Sequence, residues 1–509
     1  MFWFSPRSVE HRLRPDEPFD AEYPLSLIDG VMPRINSRYL FVYDTRGDMT
    51  TNVTASREAL VKRLRTGLQP MLRLPEEGVL ALPELLGTIY ENKTNGMLSL
   101  KVTKASTVSF VVSTRDDMNI QNLKPEEGFP RQCLDPNIYA TGIEPISMPS
   151  ASVGSQAFSA QLTFIEGGFV LCVNKHHSLL DATSSSRLIK WWFNNARTSA
   201  DKPEICPFMP AAKNCVSMHD RKPLTEARPV AQQQHPNWRV NPGASPTIFG
   251  LTLPPAWVMT ALKWIPFKLA PEARSHIIYF NSDSLHKLKK ATETSAKIRI
   301  STNDALIALV WKSVIRARFD PSKDPADSTS SVSVSVNIRN RIEPKLPDEY
   351  FGNAVISLST ELPISHLLDS SPASISDAAC EVRRTLSAKA DDANIRSQLQ
   401  LMAMQKKISD LRMNINPFNG NDLYMNSWEG LWKDMADLDL GYGKFQRMRL
   451  PGGNAFSGLA NVLPAYGMRD ASGDGVYPGG LEVMVDLAAA HMERLLADEE
   501  FMRYVSKII

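Results

Sequence analysis

Two apolar runs joined by paired glycines constrain this chain more than any other feature. Leu162-Thr163-Phe164-Ile165 and Phe169-Val170-Leu171-Cys172-Val173 flank Gly167-Gly168. Glycine tolerates the positive φ angles of tight turns, so the pattern predicts a β-hairpin. The second run leads directly into Asn174-Lys175-His176-His177, and from Asp181 the pattern turns helical, with Leu188, Ile189, Trp192 and Phe193 on one side. A histidine pair therefore falls where an apolar strand ends and a helix begins, a place where rigid elements can present a ring to a cleft.

Similar elements recur along the chain. Tyr39-Leu40-Phe41-Val42-Tyr43 and Phe110-Val111-Val112 read as strands, and Leu60, Leu64 and Leu68 place one apolar stripe on a helix. In the second half, Ile277-Ile278-Tyr279-Phe280 is a strand, followed by a helix that Ser282 or Ser284 would cap. Ser301-Thr302-Asn303-Asp304 fits a capping box, with Asp where Glu or Gln is usual, ahead of a helix burying Leu306, Leu309, Val310 and Val314. Ser331 to Val336 alternates serine with valine, the period of a half-buried strand. Asp377 to Arg412 reads as a long, mostly helical charged region. Short strands follow between Phe445 and Val462, then a strand at Glu482-Val483-Met484-Val485 and a helix from Leu487 to Leu496.

Residues 199 to about 250 differ in character. Pro203, Pro207, Pro210, Pro223, Pro229, Pro236 and Pro242 punctuate them, with three glutamines from Gln232 to Gln234. The segment forms helix and sheet poorly and reads as a long connection packed across the surface of one lobe. The chain thus divides into an N-terminal lobe over 1–200, a crossover over 201–250 and a C-terminal lobe over 251–509.

Lysine and arginine number 57 against 55 acidic residues, a net charge of +2. This excludes a nucleic-acid protein that works by neutralising many phosphates, but leaves room for one anionic ligand on a local basic patch. The five cysteines, Cys133, Cys172, Cys206, Cys215 and Cys380, show no zinc or redox spacing and read as free thiols in a reducing compartment. No secretory signal opens the chain, and no run reaches the roughly 18 apolar residues of a membrane span, so the expected location is cytoplasmic. Phosphate-cradling glycine motifs are absent. Gly452-Gly453 and Gly479-Gly480 read as turns, and Trp191-Trp192 as core. Lys287, Lys289 and Lys290 form a solvated helix face that could also meet the phosphates of an anionic ligand.

Histidine is the side chain whose ordinary pKa suits proton removal near neutrality. His177 and His176 compete for that role, and strand neighbours face opposite ways, so one of them points into a given pocket. Asp181, four residues on, would fix the geometry of the turn. His177-Ser178-Leu179-Leu180-Asp181 resembles the His-x-x-x-Asp motif of the acyl-CoA-dependent acyltransferases called the BAHD family. Asp439-Leu440-Gly441-Tyr442-Gly443 is similar to that family's Asp-Phe-Gly-Trp-Gly motif. Tyr350-Phe351-Gly352-Asn353, Ser301-Thr302-Asn303-Asp304 with Trp311, and Leu25-Ser26 with Asp29 stand in familiar order, and the likeness is nearest to fungal members such as the trichothecene 3-O-acetyltransferases.

The resemblance implies an α/β fold of two chloramphenicol-acetyltransferase-like lobes, each a mixed β-sheet flanked by helices. It implies transfer of an acyl group, acetyl by analogy, from acyl-CoA to a hydroxyl of a small secondary metabolite, in a monomer with no permanently bound cofactor, no metal and no nucleic-acid partner. His177 would be the catalytic base and Asp181 a structural anchor. Asp439 would be structural, tied to Arg339 or Arg341, and Gly441 and Gly443 would turn the backbone near the cofactor channel. Tyr442, or a nearby serine, threonine or amide, would donate to the oxyanion. Ala182, Leu440 and Tyr442 depart from the family's usual glycine, phenylalanine and tryptophan. Transfer to an amine, condensation-type amide formation (suggested by the double histidine), and a non-catalytic binding relative are the competing expectations.

Overall fold

The hairpin forms as its glycines require. Strands Phe158–Glu166 and Gly168–His176 pair antiparallel in this computed structural model, and the turn residue Gly167 sits at φ +72°. The structure describes residues 7–47, 53–198, 217–226, 235–240, 247–248, 251–252, 273–293, 298–321, 327–418, 420–432, 435–453, 456–464 and 479–509. Pro203, Pro207, Pro210, Pro229, Pro242, the three glutamines, Cys206 and Cys215 lie outside those residues.

The hairpin is the centre of a six-stranded sheet, in the order Arg7–Leu13, Val108–Asn119, Phe158–Glu166, Gly168–His176, Asn36–Asp44 and Lys444–Arg449. Both hairpin strands are buried along nearly their whole length. Continuous apolar runs are what a strand covered on both faces demands. The helices Val53–Leu68 and Ala182–Thr198 pack together over one face, where the Trp192 indole N–H donates to the Leu64 carbonyl at 2.7 Å. Trp191 and Trp192 are core residues, as their sequence context suggests.

The second sheet runs Val355–Pro363, Thr329–Asn337, Leu423–Ser427, Leu459–Val462, Leu481–Ala488, Ala273–Phe280 and Lys507–Ile508. It is mixed, since Leu423–Ser427 is parallel to both of its neighbours and the remaining pairs are antiparallel. Its central helix, Thr302–Arg318, is buried on nearly every side. The Ser301–Asp304 capping box starts that helix as the spacing predicts, each side chain satisfying the other's backbone N–H. The two sheets with their flanking helices make the two-lobed α/β architecture.

Three expectations are corrected and one is refined. Neither Ser282 nor Ser284 caps the helix Ser282–Glu293; the Asn281 carboxamide accepts from the Ser284 N–H at 2.8 Å. The charged stretch from Asp377 is mostly helical as expected, in two helices, Pro372–Lys389 and Asp392–Ala403, the second capped by Asp391. Residues 217–226 do not lie across a lobe surface: Met218 is buried in the first core and Leu224 in the second. Finally, the strand Lys444–Arg449, although it belongs to the chain's second half, completes the first sheet by pairing with Asn36–Asp44.

Candidate active site

The Gly168–His176 strand delivers His177 to a cavity of about 920 Å³ between the lobes. Its walls come from both halves: Ser37, Tyr39 and His177 on one side, Ser357, Tyr424 and Asn461 on the other. The His177 N–H donates to the Ile35 carbonyl at 2.8 Å, which ties the histidine loop to the neighbouring strand. The ring Nδ1 is buried without a hydrogen-bond partner, so Nε2 is the nitrogen left to meet a ligand. Burial, reinforced by the neighbouring Lys175 ammonium, pushes the imidazole down to about 3. The ring is therefore neutral, the state a proton acceptor needs.

His176 faces the other way and is fully buried. Its Nε2 pairs with the Ser147 carbonyl at 2.9 Å and its Nδ1 accepts from the Ser178 N–H at 3.2 Å. With both nitrogens engaged, it is a structural residue, which resolves the rivalry between the two histidines.

Asp181 turns into the interface between the lobes. It accepts from Arg339 at 2.8 and 3.1 Å and from the backbone N–H groups of Ser184 and Ala354 at 2.8 and 2.9 Å. Burial alone would raise its pKa, but the Arg339 guanidinium and the backbone donors outweigh it and hold the carboxyl below its ordinary value. Lys175, also buried, donates to the Leu180 carbonyl and so staples the loop from beneath.

Landmarks that carried no assigned role in the sequence converge here. The Asn353 carboxamide donates to the His177 carbonyl at 3.0 Å and to Asp29 at 2.7 Å. Asp29 completes a capping box with Ser26 and pairs with Arg221 at 2.9 Å. A Cβ on Gly352 would fall 2.0 Å from the Arg221 guanidinium, so only glycine admits this contact. Arg34, reaching the Ser178 hydroxyl at 2.9 Å, supports the same loop. Arg221 and Arg34 went unnoticed in the sequence because isolated arginines carry no periodic signal.

The second motif lies elsewhere. Gly443 abuts Thr45 and Phe169, and Tyr442 stacks on Phe169 with ring centroids 5.9 Å apart. Phe169 lies near the start of the strand whose far end is His176, roughly 23 Å away at 3.3 Å per residue. Tyr442 thus cannot donate to an oxyanion at His177, and Gly441 and Gly443 do not border the cavity. Their φ angles, +67° and +71°, do require glycine. Asp439 is not paired with Arg339 or Arg341. Its carboxylate accepts from the Gly441 N–H at 2.8 Å, while Arg197 reaches its carbonyl at 2.8 Å. Arg339 is committed to Asp181, and Arg341 donates to the Ala390 carbonyl at 3.3 Å.

A second chamber of about 430 Å³ adjoins the first, and Arg341 and Arg383 line it. Guanidinium groups of this kind can hold phosphates. Lys287, Lys289 and Lys290 line neither cavity. Among the described residues, no group of three His, Cys, Asp or Glu side chains could hold a metal ion, and no helix is long and apolar enough to cross a membrane.

A histidine with a buried Nδ1, beside a buried ion pair and in the wall of a cavity between two lobes, fits a two-substrate group-transfer enzyme. Residues 268–502 match the Transferase family, and residues 40–196 match the Trichothecene 3-O-acetyltransferase-like N-terminal domain. The chain belongs to the BAHD-type acyl-CoA-dependent acyltransferase family. It is 26% identical over 403 residues to an eremophilane O-acetyltransferase of Penicillium roqueforti, covering 76% of this chain and 78% of that one. It is 25% identical over 494 residues to an acyltransferase of Emericella nidulans, covering 94% of each. In fold it resembles F. graminearum TRI101 complexed with coenzyme A and deoxynivalenol, at a TM-score of 0.74 and 19% identity over 96% of this chain and 99% of that one. Vinorine synthase is similar at a TM-score of 0.61 and 17% identity, covering 99% of each chain.

Proposed function

We propose that this protein transfers an acetyl group from acetyl-CoA to a hydroxyl of a small secondary metabolite, a terpenoid, polyketide or alkaloid, with His177 as the general base. The observation that carries this reading is the neutral His177 ring, its Nδ1 buried, in the wall of a cavity built from both lobes. The acceptor and the thioester meet there, and Nε2 takes the hydroxyl proton as oxygen attacks the carbonyl. Asp181 and Asn353 hold the loop and leave the chemistry to the ring. Arg341 would meet a phosphate of coenzyme A from the second chamber, beside an Arg383 already paired with Asp304. The acetyl group and the terpenoid acceptor are favoured by the eremophilane O-acetyltransferases among the relatives. A cytoplasmic location fits the free thiols Cys133, Cys172 and Cys380.

The test is to incubate the purified protein with a series of acyl-CoAs and with hydroxyl and amine acceptors, reading products by mass. Acetylated alcohols are expected, with turnover reduced about 10²-fold or more in His177→Ala. Equal rates in the two proteins would remove the histidine from the mechanism, and products formed only from amines would change the acceptor class.

A further inference from the structure

The residues common to both chambers are Asn303, Ser335, Asn337, Asn426 and Ser427. Every one is an amide or a hydroxyl, so the neck between the chambers offers hydrogen bonds without charge. A thioester reaching His177 from the second chamber passes through this neck, so the neck's side chains are the first donors to consider for its carbonyl. Attack on that carbonyl puts negative charge on its oxygen, and fixed donors aimed at the oxygen lower the barrier. With Tyr442 excluded, the donor has to come from the residues around the neck.

Two of these five side chains are already engaged. The Ser335 hydroxyl is bonded to the Tyr424 hydroxyl at 2.8 Å, and the Asn426 amide donates to Asn461 at 3.1 Å. Asn303 presents a buried, unpartnered carbonyl oxygen, which is an acceptor. Asn337 is different. Its Oδ1 accepts from the Arg339 backbone N–H at 3.1 Å and from Arg339 Nη1 at 3.3 Å. Because both neighbours are donors, the amide can be oriented only with its oxygen toward Arg339. Its Nδ2 donors are thereby turned away from Arg339, on a side chain exposed to the cavity.

We infer that the Nδ2 group of Asn337 holds the thioester oxygen as it becomes an oxyanion. The same Arg339 that orients this amide also grips Asp181 of the histidine loop, so base and donor share one scaffold. Asn337 pairs across the sheet with Val355, two residues beyond the Asn353 that holds the His177 carbonyl. In the step, the acceptor oxygen bonds to the carbonyl carbon and its proton passes to His177 Nε2. The carbonyl π pair becomes the oxyanion facing Asn337. On collapse the C–S bond breaks, and the departing thiolate takes the proton back from His177.

This inference rests on the acyl-transfer reading, and Asn337→Asp tests it separately. The aspartate keeps an oxygen toward Arg339 but replaces the amide donors with a second oxygen. The expected result is a fall in kcat of about 10²-fold or more, with KM for acetyl-CoA changed less than threefold and Tm kept within about 2 °C. Coenzyme A carrying a trifluoroacetonyl group on sulfur supplies a readout without turnover, because its hydrated ketone mimics the tetrahedral adduct. The parent should prefer it to the acetonyl analogue in a titration, and Asn337→Asp should lose that preference. A variant that retains both kcat and the preference overturns the inference, as does one whose kcat and Tm fall together while the preference persists. His177→Ala run alongside separates the two failures. If it is inactive while Asn337→Asp is unimpaired, the donor assignment alone falls; if it is fully active, the histidine base falls; and if the parent itself acylates no acceptor, the acyl-transfer reading falls.

Discussion

The loops His177–Asp181 and Asp439–Gly443 each carry a motif aspartate, yet the two carboxylates live in different physical worlds. Asp181 is 2% exposed and collects two guanidinium contacts and the Ala354 N–H across the lobe interface, besides the local Ser184 N–H. Asp439 is exposed and closes a single local turn on Gly441. Each carboxylate satisfies nearby N–H groups, but only that of Asp181 also joins distant parts of the chain. Equal prominence in a motif therefore says nothing about equal energetic weight.

Substitution should expose the difference. Asp181→Ala leaves the Arg339 charge buried without its partner, and loss of one member of such a pair destabilises by about 3–5 kcal/mol. Its Tm should fall by several degrees and activity should fall with it, since Arg339 also orients Asn337; an unchanged Tm would remove the contrast. The histidine loop should also respond to acid. His177 is pushed down to about 3 and His176 to about 4 by burial, whereas the unfolded chain titrates its histidines near 6.5. The unfolded state then binds protons that the folded state refuses, so their contribution is intact above pH 6.5 and is lost progressively toward pH 4.

Between pH 7 and 5 each histidine should remove about 2 kcal/mol of stability. Buried carboxyls with raised pKa, such as Asp486, oppose this trend, so the informative quantity is the difference between parent and His177→Gln. Urea midpoints at the two pH values should show a shallower acid loss in the variant; identical slopes would place the His177 titration elsewhere. At the other motif, Asp439→Ala removes one exposed hydrogen bond, worth about 1 kcal/mol or less, and should leave kcat unchanged. Smallest of all, Tyr442→Phe should alter turnover less than twofold, and a large loss of kcat would return Tyr442 to the chemistry.

Features set by near neighbours in the chain were legible from residues alone. The Gly167 turn, the alternating Ser331–Val336 strand and the Ser301–Asp304 capping box each depend on residues a few positions apart. The histidine loop was legible through its motif. The partners of that loop were not, because Arg339, Asn353, Arg221 and Asp29 meet it through space, with no periodicity to announce them. The choice of Arg339 for Asp181 in place of Asp439 follows from which sheet ends face each other. Tyr442 was misplaced for a related reason, since nothing local reveals that its loop folds back on Phe169. Arg221 was hidden further by its proline-rich surroundings, which read as a bare connection.

The strand Lys444–Arg449 has a mechanical consequence. Leaving the second half of the chain to pair with Asn36–Asp44 beside the hairpin, it laces the lobes together by backbone hydrogen bonds. Any movement of the lobes has to be taken up by the two chain connections that flank this strand, because the strand itself is fixed in the first sheet. The first lobe expressed alone would carry a bare strand edge along Asn36–Asp44, an invitation to stick to its own copies. The two halves are thus obliged to mature as one object.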